Sequence, residues 1–333
     1  MLIAVAALVL SAGLVYWACE YFVNGIEWFG HKAGISQNAV GTVLAAFGTA
    51  LPESVVTFVA VVFGHDAASK NIGVGAALGG PLVLATIAYP MVGLMLLITR
   101  RCPRSAPIDV NRRRLSRDQA SFLLIFAFKI ALGFMAFALK PWLGWAFLAA
   151  YGLYTWAEVK LEGDEPEGEL ESLKLQPKAA NPGWSLTAVQ TLIALAVIFA
   201  ASHIFVRQLE VVGPWMGISP TLVALLLSPV ATELPETMNA VIWIRQGKHR
   251  LALSNISGSM MVQATVPTAL GLLFTPWLFD GPLTIAAAVT AAAIGGLWIL
   301  LRYNRLTPVR LALFCLGYAV FAMATWLNIQ VHH

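Results

Sequence analysis

A glutamate set one residue after a proline, inside a long apolar run, is the tightest constraint on this chain, and it occurs twice. Gly48-Thr49-Ala50-Leu51-Pro52-Glu53 lies in a run over residues 35–63 that has no other charge until its end. A carboxylate at the centre of a membrane-crossing helix costs about 2.5–3.5 kcal/mol, so it needs a purpose or a partner. At Ala231-Thr232-Glu233-Leu234-Pro235-Glu236 the pattern Thr-x-Leu-Pro-Glu returns, again within an apolar run, over residues 218–244. The offset of 183 residues also carries Gly34-Ile35-Ser36 onto Gly217-Ile218-Ser219. Two matches in one register make an internal repeat.

The rest of the chain fits a membrane setting. It is 59% hydrophobic and only 11% charged over 333 residues, far from the balance of a soluble domain. Segments long enough to cross a bilayer fall at 1–22, 35–63, 72–99, 118–139, 141–157, 185–207, 218–244, 251–277, 282–301 and 307–328. The first has no basic leader and no cleavage signature, so it reads as a span and not a signal peptide. Lys140-Pro141 alone separates the fourth and fifth segments, which predicts a tight antiparallel hairpin.

Basic residues orient the spans. Arg100, Arg101, Arg104, Arg112, Arg113, Arg114 and Arg117 crowd one loop, which is expected to be cytoplasmic. Alternation from that loop puts most of the 21 lysines and arginines inside and both termini outside. The expected fold class is an all-α membrane protein. It has ten transmembrane helices as two inverted five-helix repeats, with helices two and seven broken. Residues 1–157 form the first repeat, 158–183 an acidic, mobile cytoplasmic linker, and 184–333 the second. An odd number of spans per repeat turns the second copy upside down, a recurrent plan among secondary transporters. The expected location is a prokaryotic cytoplasmic membrane, as a monomer, with the lipid bilayer and transported cations as partners and no nucleic acid.

The motif supplies oxygen. A helical proline lacks an N–H and crowds the carbonyl four residues before it. Pro52 thus frees the carbonyl of Gly48, and Pro235 that of Ala231. Thr49 and Glu53, like Thr232 and Glu236, are four apart and share a helical face. Each repeat offers a carboxylate, a hydroxyl and a loosened carbonyl, the ligands hard cations take. The expected cargo is a divalent cation, Ca2+ before others. A passive channel, or an exchanger of Mg2+ or another metal, would use the same ligands. An enzyme is not expected, because the six histidines make no His-Glu-x-x-His or comparable set, and no cofactor is expected.

These motifs together resemble the cation/calcium exchanger superfamily, whose sodium/calcium branch carries Gly-Thr-Ser-Leu-Pro-Glu in both repeats. The resemblance spans essentially the whole chain. It implies that Thr49, Glu53, Thr232 and Glu236 form a central divalent-cation site, and that spans one and six are the moving pair. The departures bear on the coupling ion. The family's Gly-Asn-x-x-Gly-Ser-Asn pattern is here Ser254-Asn255-Ile256-Ser257-Gly258-Ser259-Met260, and Gly75-Ala76-Ala77-Leu78-Gly79-Gly80-Pro81 in the first half. Ser259 survives, but Met260 and Pro81 bring no side-chain oxygen, and Gln263 is a candidate replacement amide. The motif serine becomes Ala50 in one half and Glu233 in the other. Fewer neutral oxygens and one added carboxylate favour H+ over Na+ as counter-ion.

Other polar residues in apolar runs carry weaker expectations. Glu20 and His203 stand 183 apart and could relay protons or gate, or serve only at the interface. Lys129, within a span, is expected to snorkel or to pair, for instance with Glu158. Trp28, Trp142, Trp156, Trp184, Trp215, Trp277 and Trp326 lie near segment ends, as an interfacial belt requires.

Overall fold

Apolar side chains all round a helix, interrupted by prolines and small residues, give a bundle in which only the breaks expose backbone polar groups. The computed structural model describes residues 2–63, 67–161, 167–217 and 223–332, and among these it is helical with no strand. The start of the seventh expected segment and the linker acids Glu162, Asp164 and Glu165 lie outside the described residues.

The first half holds α1 (Leu2–Ala33), α2 (Gln37–Leu51), α3 (Glu53–Phe63), α4 (Ala67–Val83), α5 (Tyr89–Ile98), α6 (Arg112–Gly133) and α7 (Leu143–Lys160). The second holds α8 (Trp184–Trp215), α9 (Ser228–Thr232), α10 (Leu234–Gln246), α11 (His249–Phe274), α12 (Gly281–Arg302), α13 (Pro308–Ala312) and α14 (Cys315–His332). Six stretches among the described residues are long and apolar enough to cross a membrane: Leu2–Ala33, Gly73–Ile98, Trp184–Trp215, His249–Phe274, Gly281–Arg302 and Pro308–Asn328. The pair α2 and α3, bent by 50° about Pro52, makes a seventh if counted as one span.

That is fewer than ten, for local reasons. α6 opens on an arginine-rich turn and buries Lys129, while α7 ends on Glu158 and Lys160 among tryptophans and tyrosines. Helix α9 stops at Thr232, so the second motif is split between two short helices. The expected hairpin of segments four and five is also looser than Lys140-Pro141 suggested. α6 ends at Gly133, and both α6 and α7 rest on α11. Lys140 Nζ ties their connection down by donating to the carbonyls of Met135, Pro276 and Trp277 at 2.6, 2.9 and 2.9 Å.

Helix α11 is the axis of the bundle. It packs against the α2–α3 run, α4, α6, α7 and α10, and its most apolar stretch is 83% buried. α1 and α8 lie against one another along their length and leave most of their surface outward. Residues 183 apart share local structure. Gly34 and Gly217 both end long helices at positive φ, 66° and 82°, where a Cβ would be strained. π-helical turns follow at Val40–Ala45 and Val223–Leu227. Gly30 packs on Val40 as Gly213 packs on Val223.

The described end of the linker is strapped down, contrary to the mobile connection expected. Glu167 Oε2 accepts from the Arg250 and Leu251 backbone N–H groups at the start of α11, at 2.6 and 3.3 Å. Asn24 and Trp28 on α1 donate to the Glu171 carbonyl, and Leu173 is fully buried. Two members of the tryptophan belt are therefore corrected. Trp28 is buried on the linker and Trp277 inside the core, whereas Trp142, Trp156, Trp184, Trp215 and Trp326 are exposed as expected.

Candidate cation site

The two motif breaks come together beside α11. Pro52 bends the first, and in the second Glu233 lies between α9 and α10 with φ −87° and ψ 8°. Thr232 and Glu236 thus do not share a continuous helical face, a correction to the four-residue spacing. The Thr232 hydroxyl is half-buried and donates to Pro229 O at 3.0 Å, while Glu236 stands in the first turn of α10.

Glu53, Glu233 and Glu236 are all buried. Gln263 on α11 bridges the first two, its Nε2 donating to Glu53 Oε2 at 2.8 Å and to Glu233 Oε1 at 2.7 Å. The shared amide thus holds the Glu53 and Glu233 carboxyl groups beside one another. Gly80 closes this group from α4, since a Cβ there would lie 2.6 Å from both Glu53 Oε1 and Gln263 Oε1.

Glu236 has different company. It faces Thr49 across the halves, and Cys19 of α1 is close by, its Sγ donating to Pro235 O at 3.7 Å. The Thr49 hydroxyl has the Ala45 carbonyl as its hydrogen-bond partner at 3.1 Å, which leaves its oxygen available to a ligand. Neither Glu236 oxygen accepts a hydrogen bond among the described residues, and the Ser259 hydroxyl and the amide oxygen and nitrogen of Asn239 and of Asn255 have no hydrogen-bond partner there either. Buried acceptors without donors are costly, and a cation or water is what satisfies them. Gly48 is buried with Phe22 close by, and Ala231 is buried in α9. Among the described residues no three acidic, His or Cys side chains converge on one point, so the carboxylates form two neighbouring groups and not a closed metal centre.

The outlying polar residues fall elsewhere. Glu20 lies 3.6 Å from Lys174 of the linker, and His203 is exposed. Glu158 pairs with Arg114 at 2.7 Å and with Arg117, not with Lys129. Gly80, Cys19, Asn239 and Asn255 at or near the site were not singled out from sequence as site residues. Gly80 had a legible signal, because it stands where the second half carries Ser259 in the same pattern.

The family model for the sodium/calcium exchanger protein matches residues 3–160 and 186–327. The chain belongs to this family. Among curated relatives, the putative antiporter CaxA of Alkalimonas amylolytica is 25% identical over 285 residues, covering 84% of this chain and 83% of that protein. The sodium/calcium exchanger MaX1 of Methanosarcina acetivorans is 24% identical over 310 residues, covering 83% and 85%. In fold, this member of the sodium/calcium exchanger family is similar to the sodium-calcium exchanger NCX_Mj, with a TM-score of 0.75, 22% identity, and coverage of 96% of this chain and 98% of that one. The family and the apolar helices make it an integral membrane protein whose relatives are cation antiporters.

Proposed function

We propose that this protein is a secondary active antiporter that moves a divalent cation, Ca2+ in the first instance, in exchange for protons. One observation carries the reading. Glu53, Glu233 and Glu236 are buried at the two proline breaks, and Glu53 and Glu233 share the Gln263 amide. Two buried carboxyl groups held on one amide are costly to keep ionised together, so one of them carries a proton when no cation is bound. A divalent ion arriving at Glu53 and Glu236 displaces that proton, and its departure restores it. Thr49, Thr232, Ser259 and the Gly48 and Ala231 carbonyls supply neutral oxygens around the ion. Binding draws Glu53 toward Glu236, and the bends at Pro52 and Glu233 absorb the movement.

Alternating access follows from the doubled architecture. The repeats are residues 1–157 and 184–333, five helices each in inverted orientation, with both termini outside and residues 158–183 in the cytoplasm. The matched positive-φ glycines, π-helical turns and Gly–Val contacts support this plan. The outward-lying α1 and α8 move as a pair over the bundle built on α11, and the protein works as a monomer.

Proteoliposomes loaded in sodium-free buffer test the reading. An imposed pH gradient, acid inside, drives uphill 45Ca2+ uptake, and Glu233→Ser weakens that drive. Uptake that requires a sodium gradient and ignores pH, as the names of MaX1 and NCX_Mj would suggest, replaces protons with sodium. Flux that only runs downhill makes the protein a channel.

A further inference from the structure

Lys129 is a buried lysine held by backbone oxygens rather than by an ion pair. It lies one turn before the C-terminal end of α6 with no exposed surface, and no described acidic group comes within 4.0 Å of its ammonium. Its Nζ instead donates to Ala77 O at 2.6 Å and to Gln263 O at 3.4 Å. The faces of Phe126 and Trp277 lie 5.5 and 5.8 Å from it.

Those two carbonyls have a common origin. In a regular helix the Ala77 carbonyl would accept from the N–H of residue 81, and the Gln263 carbonyl from that of residue 267. Both residues are prolines within helices, Pro81 in α4 and Pro267 in α11, and neither has an N–H to give. Two backbone oxygens are thus released side by side from two helices, next to two aromatic faces. Carbonyl oxygens and ring faces are what a monovalent cation takes as ligands. The seat also adjoins the carboxylates. Ala77 precedes Gly80 by one turn, and Gln263 is the residue whose side chain bridges Glu53 and Glu233.

We infer that the proline-freed carbonyls of Ala77 and Gln263 form a monovalent-cation seat, which Lys129 fills with a tethered ammonium. Lys129 is then a specificity-determining residue. It closes the seat to free sodium and places an ammonium near the Glu53–Gln263–Glu233 group, so that with Lys129 charged the three buried carboxylates are left with the charge that matches one divalent ion. The inference deepens the exchange reading above and rests on it only for the identity of the cargo.

The test uses purified full-length protein in detergent and reads binding, not flux, so it can fail while exchange stands, and the reverse. Thermal stability and 45Ca2+ affinity are measured in NaCl, methylammonium chloride and choline chloride at equal ionic strength. Wild-type protein responds to NaCl as it does to choline. Lys129→Ala gains a sodium-specific rise in Tm and an apparent calcium Kd about tenfold tighter in NaCl than in choline, about 1.4 kcal/mol. Methylammonium replaces sodium in that variant. Lys129→Met, whose side chain fills the seat without charge, gains neither effect. A folded Lys129→Ala with the wild-type salt response overturns the inference. So does failure of that variant to fold in saturating NaCl and methylammonium, because a free cation should then have filled the seat.

Discussion

A Cβ on Gly80 would lie 2.6 Å from Oε1 of Gln263, so the smallest residue, on α4 of one half, makes room for the long amide on α11 of the other. The two residues meet beside Glu53. The repeat is thereby asymmetric where it touches the carboxylates. One half gives Glu233 and Gln263, the other Ala50 and Gly80.

Gly80→Ala pushes its methyl against Glu53 and Gln263, and neither can retreat without losing their mutual hydrogen bond. Calcium flux in proteoliposomes falls at least about tenfold, equivalent to about 1.4 kcal/mol, while the protein still elutes as a folded monomer. Gln263→Leu removes two hydrogen bonds to carboxyl groups, each contributing about 1.5–3 kcal/mol. It costs more than the glycine change, seen as weaker 45Ca2+ binding.

Glu53→Gln and Glu236→Gln each abolish calcium transport and leave folding intact, because an amide keeps the shape and loses the charge. Thr49→Val and Thr232→Val weaken binding less, since each removes a neutral oxygen. Thr49→Val is the larger of the two, because Thr49 faces Glu236 while Thr232 donates to Pro229 O. Isothermal titration with Ca2+ ranks the four, and wild-type binding by either glutamine variant defeats the assignment.

Glu27 of α1 and Lys248, between α10 and α11, form a buried pair at 2.6 Å, and Trp243 Nε1 donates to the same carboxylate at 2.8 Å. Removing one member of a buried pair strands the other and costs about 3–5 kcal/mol. Lys248→Met therefore lowers Tm sharply, and the double change with Glu27→Leu recovers much of it. Equal Tm for Lys248→Met and wild type counts against a buried ion pair at this end of the bundle.

Cys102 lies in the arginine-rich loop, and partial burial raises its thiol pKa above the ordinary range. A raised pKa means less thiolate at neutral pH, so maleimide labelling is slower than for a free thiol and accelerates as pH climbs. With the proposed orientation, an impermeant maleimide labels Cys102 in inside-out vesicles and not in right-side-out ones. Cys19 is fully buried and stays unlabelled in both. The reverse sidedness would invert the topology.

The carboxylates, the proline breaks and the doubling were legible in the chain because each follows from one residue's own chemistry. A charge in an apolar run must be satisfied, a proline cannot donate, and a fixed offset repeats both. Residues between the motifs were less legible. Trp28 and Trp277 sit at segment ends like their fellows, yet the linker covers one and the core encloses the other. Thr232 and Glu236 have the spacing of a shared face, but the chain breaks between them.

Sequence alone determined that this chain lives among lipids, carries its proline–glutamate motif twice, and keeps acidic oxygen where its helices fail. Only the tertiary structure decided which oxygens meet. Pro81 and Pro267 each free a carbonyl by local rule, but nothing local says that the two carbonyls lie together or that Lys129 reaches both. Such a seat needs three helices to pack in one arrangement, and close packing between distant segments is a property of the assembled bundle and not of any stretch of chain.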